Sequence, residues 1–92
     1  MNDDRILTLH PKGKKGVNIL ETKYDTIRNF IIKTIEIYGQ ISYSKLSDLA
    51  VEELTDFDGK VVWYIVSVKL DLEARKIIKR VPKTSPHELV LY

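Results

Sequence analysis

Residues 60–75 constrain this fold more than any other stretch. Val61, Ile65, Val68 and Leu72 recur at i, i+4, i+7 and i+11, which predicts one buried face of a helix over 60–75. Trp63, Val66, Leu70 and Ala74 form a second apolar line. At about 100° per residue the two lines lie on nearly opposite sides. A helix apolar on two sides is buried on both, or keeps one side for a partner. The chain has 92 residues, enough for one domain with one modest core. Between the lines runs a mixed stripe of Lys60, Tyr64, Ser67, Asp71 and Arg75. It reads as the solvent face, with Asp71 solvated there or paired with Arg75 four residues on.

A hairpin pattern follows. Ile77–Val81 is β-branched and basic, Pro82–Pro86 is a polar turn bounded by prolines, and His87–Tyr92 alternates. Two more helices precede the central one. The first is expected over Lys23–Tyr38. Thr22 would be its N-cap and Asp25 would complete a weak capping box. Tyr24, Ile27, Ile31, Ile35 and Tyr38 form its apolar face, widened by Phe30 and Ile37, and Gly39 supplies a left-handed stop. Gln40–Tyr43 is short and β-prone. The second helix is expected over Lys45–Leu54 behind a Ser44 cap, with Leu46, Leu49, Ala50 and Leu54 inward. Asp58 is the expected cap of the third. Ahead of these, Arg5–Leu9 reads as a strand or extended arm, and His10–Gly16 as a loop with three lysines. The expected division is one domain over 1–92. It has an arm and basic loop (1–21), a three-helix core (22–75) and a hairpin (76–92).

Helix, short strand, helix, turn, helix and two-stranded hairpin is an order that resembles a winged helix-turn-helix domain over residues 22–92. The implied class is α+β, mainly α, with three helices and a small antiparallel sheet as the wing. His10-Pro11, Gly13, Gly16-Val17, Ile19, Trp63-Tyr64 and the run Val68–Arg75 are similar to a small bacterial family of uncharacterised winged-helix proteins. That family carries a basic, glycine-containing loop ahead of its first helix. The resemblance implies a fold rather than an activity. Winged helices in general bind DNA, with the third helix in the major groove and the wing on the backbone. By that analogy Lys60, Tyr64 and Ser67 would face bases, and Lys79, Arg80 and Lys83 would face phosphates. Where many winged helices have a glycine after the third helix, this chain has Lys76, for which a left-handed backbone costs more.

Net charge is only +2, from fifteen basic and thirteen acidic residues, which by itself does not point to nucleic acid. Its distribution is uneven. Segment 11–22 has Lys12, Lys14 and Lys15 against Glu21, a net +2. Segment 76–92 has Lys76, Lys79, Arg80 and Lys83 against Glu88, a net +3. Segment 39–59 has Lys45 against Asp48, Glu52, Glu53, Asp56 and Asp58, a net −4. Gly13-Lys14-Lys15-Gly16 lacks the frame and the strand–helix context of a phosphate loop. It reads as a basic loop that contacts phosphates from outside.

No catalytic set can be assembled. Cysteine is absent, which removes thiolate chemistry, disulfides and thiolate metal sites. His10 and His87 are the only histidines and lie far apart, so no metal or cofactor is expected. Asp71 and Glu73 point to different sides of a helix and cannot share an acid–base role. Ser42, Ser44 and Ser47 have no histidine near them in sequence. The expected function is therefore non-enzymatic: duplex DNA binding in transcriptional control, anchored by Lys12, Lys14, Lys15, Lys79, Arg80 and Lys83. Asp56, Asp58 and Asp71 oppose it by repelling phosphate. The alternative is a protein-interaction module that uses Trp63, Val66 and Leu70. Excess apolar surface on the third helix, together with the arm Ile6–Leu9, predicts a two-fold homodimer. No apolar run approaches the roughly 20 residues of a membrane helix, nor is there a signal-peptide core, so a cytoplasmic protein is expected.

Overall fold

A computed structural model describes residues 4–92. The first three residues of the expected arm lie outside the described residues. The domain is α+β and mainly α. Three helices, α1 (Glu21–Tyr38), α2 (Tyr43–Glu53) and α3 (Val61–Ala74), are joined by five short strands. The strands are β1 (Arg5–Leu7), β2 (Asn18–Leu20), β3 (Ile41–Ser42), β4 (Ile78–Val81) and β5 (Glu88–Leu91). They form two antiparallel sheets, β1-β2 and β3-β5-β4. In the second sheet Ile78 pairs with Leu91, Val81 with Glu88, and Ile41 with Leu89. The hairpin thus lies where the sequence puts it, with β3 added to its β5 edge.

α3 is the central helix. Ile65, Val68 and Leu72 are fully buried among Ile27, Ile31 and Ile35 of α1, Leu46 and Ala50 of α2, and Ile78 and Leu89 of the hairpin. Each such side chain contributes roughly 1.5–3 kcal/mol on burial. The second apolar line is not enclosed: Trp63 is 43% exposed, and Val66, Leu70 and Ala74 are half-buried. Ile37 and Tyr38, expected inside, are exposed at the end of α1. In that last turn only Ile35 faces the core.

Helix starts differ from the sequence expectation for local reasons. α1 begins two residues early and Thr22 does not cap it; the Glu21 N–H donates to the Asp4 carbonyl instead. Ser42, not Ser44, caps α2, accepting from the Lys45 N–H at 3.1 Å. Ser42 ends β3, so its backbone is already extended as a cap requires. α3 starts after Lys60 rather than Asp58 and has no side-chain cap. Gly39 does stop α1 in the left-handed region, at φ 75°. The expected arm is an intramolecular strand: Arg5, Ile6 and Leu7 pair with Leu20, Ile19 and Asn18. It therefore has a strand partner within its own chain.

α3 ends in a Schellman turn. The Lys76 N–H donates to the Glu73 carbonyl and the Ile77 N–H to the Leu72 carbonyl, while Lys76 adopts φ 60°. This position normally takes glycine. A Lys76→Gly substitution is expected to relieve about 1 kcal/mol of left-handed strain. The thermal midpoint should rise by about 4–8 °C; calorimetry showing a lower midpoint would contradict the reading.

Candidate functional site

Asp71 is the best-connected side chain on α3 and is fully buried. Its carboxylate accepts from the Tyr24 hydroxyl of α1, from the Leu9 N–H at 2.8 Å, and from Arg75 Nε at 2.8 Å. A buried carboxylate is costly unless its oxygens are matched this way; removing one partner of a buried charge pair typically costs about 3–5 kcal/mol. Burial and the bond to Asp71 push the Tyr24 phenol up to about 12. The same carboxylate holds the Arg75 guanidinium above its ordinary value. The sequence pattern places Asp71 on a solvated stripe. The pairing with Arg75 is present, but the carboxylate lies inside because two elements from the N-terminal third of the chain close over it.

One of those elements is the basic loop. Both its ends are fixed on Thr8 and Leu9. Thr8 N–H donates to the Val17 carbonyl and Val17 N–H returns to Thr8 Oγ1, each at 2.9 Å. Gly16 presses so close that a Cβ there would stand 1.8 Å from the Thr8 carbonyl oxygen. Only glycine fits such an approach. Within the loop, the Gly13 N–H donates to the His10 carbonyl and the Lys12 N–H to His10 Nδ1. The loop consequently lies over α3 instead of trailing into solvent.

Between loop, α3 and hairpin is a cleft of about 380 Å³ lined by His10, Pro11, Lys12, Lys14, Leu70, Glu73 and Arg80. Lys15 turns to a smaller hollow that it shares with Ser67 and Leu70. Behind the cleft, Glu73 accepts from Lys69 Nζ at 2.6 Å and from Arg80 Nε at 3.0 Å. Lys69 is only 2% exposed. Burial lowers its ammonium group's pKa, against the opposing pull of Glu73. Its Nζ stands 5.4 Å over the Tyr43 ring, and that ring stacks on His87. Among the described residues, His87 Nε2 is a buried polar atom without a hydrogen-bond partner.

The residues expected to read bases do not form one exposed stripe. Lys60 is exposed at the start of α3. Tyr64 is half-buried, edge-on to both Phe57 and Trp63. Ser67 lies beneath the loop. The expected phosphate contacts divide as well. Arg80 turns toward Glu73, while Lys79, its strand neighbour on the opposite face, lies 5.3 Å over the Tyr92 ring. Lys83 is exposed in the hairpin turn. The structure brings Lys12, Lys14 and Arg80 together, and leaves Lys79 and Lys83 apart from them. Trp63 is exposed and Val66 half-buried, so this part of the second apolar line reaches the surface, with exposed Val62 beside it.

Residues 5–89 match the model of a family of unknown function (DUF6958). The chain belongs to this family. No curated protein and no solved structure matches it. In this member of DUF6958 no helix among the described residues is long and apolar enough to cross a membrane. Nor does any group of three His, Asp or Glu side chains there form a metal-binding set.

The hairpin root generates a pH prediction. Burial lowers the pKa of His87, and the nearby Lys69 and Arg80 charges lower it further. The unfolded ring titrates near 6.5. Below that pH the unfolded chain takes up a proton that the folded chain resists, so stability is full above about 6.5 and declines as pH falls through the window beneath it. Urea midpoints should be lower at pH 5.5 than at pH 7.5, and the gap should shrink in His87→Gln. An unchanged gap in that variant would contradict the assignment.

Proposed function

We propose that this domain is a winged helix that binds duplex DNA through its phosphates, without enzymatic activity, in a transcriptional role. The chain order α1-β3-α2-α3-β4-β5 with sheet order β3-β5-β4 supports the winged reading. The observation that carries the DNA reading is the meeting of Lys12 and Lys14 with Arg80 on one side of α3. Cations from the two ends of the chain thereby stand together, and phosphate neutralisation is the main source of sequence-independent affinity. Base reading by α3 has little support: the Tyr64 ring is packed edge-on to Phe57 and Trp63, Ser67 lines a hollow with the basic loop, and Val62 and Val66 have no polar groups for base edges. The expected binding is therefore indifferent to sequence and steep in salt. Fluorescence anisotropy with a labelled 20-base-pair duplex should give similar affinities for unrelated sequences. Replacing Lys12, Lys14 and Lys15 with alanine should reduce the log–log salt slope by up to about 2.7, from about 0.9 per lost phosphate contact. A parent protein that does not bind at 50 mM salt would remove the DNA reading.

A second reading has its own observation. Val62 and Trp63 are exposed on α3 beside half-buried Val66, which supports a protein contact there, including a two-fold contact with a second copy. Sedimentation equilibrium at micromolar concentration separates the two cases. A mass near twice 10.7 kDa that reverts in Trp63→Ala supports the self-contact, and a monomer throughout removes it.

A further inference from the structure

We propose that the cleft between the basic loop and the hairpin is a phosphate-binding site formed by Lys12, Lys14, Arg80 and His10. The proposal deepens the DNA reading and rests on it only in taking phosphate as the ligand.

Arg80 is the anchor. Its Nε is held by Glu73, which leaves the four N–H groups of its two Nη atoms for a ligand. Fixing Nε orients the planar fork, and a fixed fork is what bidentate recognition of phosphate needs. Glu73 alone would weaken an anion site. Its other oxygen, however, takes buried Lys69 at 2.6 Å, so the carboxylate is counterbalanced from behind. The field in the cleft is then set by Lys12, Lys14 and Arg80. His10 adds a donor. Its Nδ1 accepts the Lys12 N–H, which leaves Nε2–H as the ring's donor.

Shape adds to charge. The loop is held at both ends by the Thr8–Val17 pair and the Leu9–Asp71 bond, so its lysines approach Arg80 from a fixed base. The cleft holds about 380 Å³ and includes Leu70 and Pro11. That volume falls in the range of small-molecule sites. The apolar part suits the carbon skeleton that carries a phosphate, in a DNA backbone or in a separate phosphorylated small molecule. Lys79 and Lys83 lie outside this arrangement and serve as internal controls.

The test is a titration of the isotope-labelled full chain with inorganic phosphate, with adenosine 5′-monophosphate and with a 20-base-pair duplex, at constant ionic strength. Amide resonances of His10, Lys12, Gly13, Lys14, Leu70 and Arg80 should move together and saturate with at least one of these probes. Arg80→Gln should weaken that response at least tenfold, and so should Lys12→Ala with Lys14→Ala. The two lysines are exposed on the loop, so their loss leaves folding intact even where Arg80→Gln disturbs the hairpin. Lys79→Ala with Lys83→Ala should leave the response unchanged. If the nucleotide saturates the cleft and competes with the duplex, or the duplex alone moves these resonances, the proposal is supported and the source of phosphate is identified. If phosphate or the nucleotide saturates the cleft and no duplex binds, the cleft assignment stands and the DNA reading falls. If the duplex binds while residues 10–14 and Arg80 stay silent, or shifts spread equally over Lys33, Lys79 and Lys83 without saturation, the cleft proposal is overturned.

Discussion

The buried Asp71 carboxylate ties three parts of the molecule to one another. It receives a hydroxyl from α1, a backbone N–H from the start of the basic loop, and a guanidinium from the last turn of its own helix. A charge in that position favours one arrangement of its donors, because an alternative that leaves an oxygen bare is expensive. The apolar core sets which faces of the helices are inside. Asp71 sets where the N-terminal loop crosses α3. Without it Ile6 and Ile19 could still pack, but no other hydrogen bond among the described residues would hold Leu9 against the end of that helix.

A second polar layer lies two residues further along α3. Glu73 links Lys69 behind it to Arg80 on β4, so the C-terminal half of α3 is bonded to the loop through Asp71 and to the hairpin through Glu73. The two acids point in different directions, as i and i+2 must on a helix, and each organises a separate side of the same region. The cleft arises between them. Its cations come from segments about seventy residues apart in sequence. The acidic stretch around Asp56 and Asp58 lies instead by the start of α3, near Lys23 and Phe57. The molecule thus has a basic region and an acidic one in spite of a net charge of only +2.

Much of the architecture was legible in the sequence because it is written in local periodicity. The bounds of α3, the glycine stop after α1 and the β4-β5 hairpin all follow from side chains within one or two turns of each other. The charged network was less legible. At about 100° per residue Lys69 lies about 40° from Ile65, inside the buried arc, yet lysine is so seldom fully buried that composition assigns it outward. Asp71 sits at the margin of that arc. Its deciding partners, Tyr24 and Leu9, are 47 and 62 residues away, and no local pattern reports them. β2 escaped for a simpler reason: three residues with one buried side chain give alternation nothing to act on. Among the candidate site residues, the loop lysines and Arg80 were visible as charge. That Arg80 would turn toward them and Lys79 away depends on strand phase, which a one-residue shift of register reverses.

Native-state hydrogen exchange at the Leu9 amide tests the central claim most directly. That N–H belongs to a residue whose side chain is exposed, on a segment next to a loop, and the hydrogen bond that protects it is the one to the Asp71 carboxylate. If Asp71 anchors the loop, Leu9 exchanges as slowly as the amides in the middle of α3, while Lys14 and Lys15 exchange rapidly. If Leu9 exchanges as fast as Lys14 and Lys15, the loop is not held on α3 and the anchoring role of Asp71 is wrong.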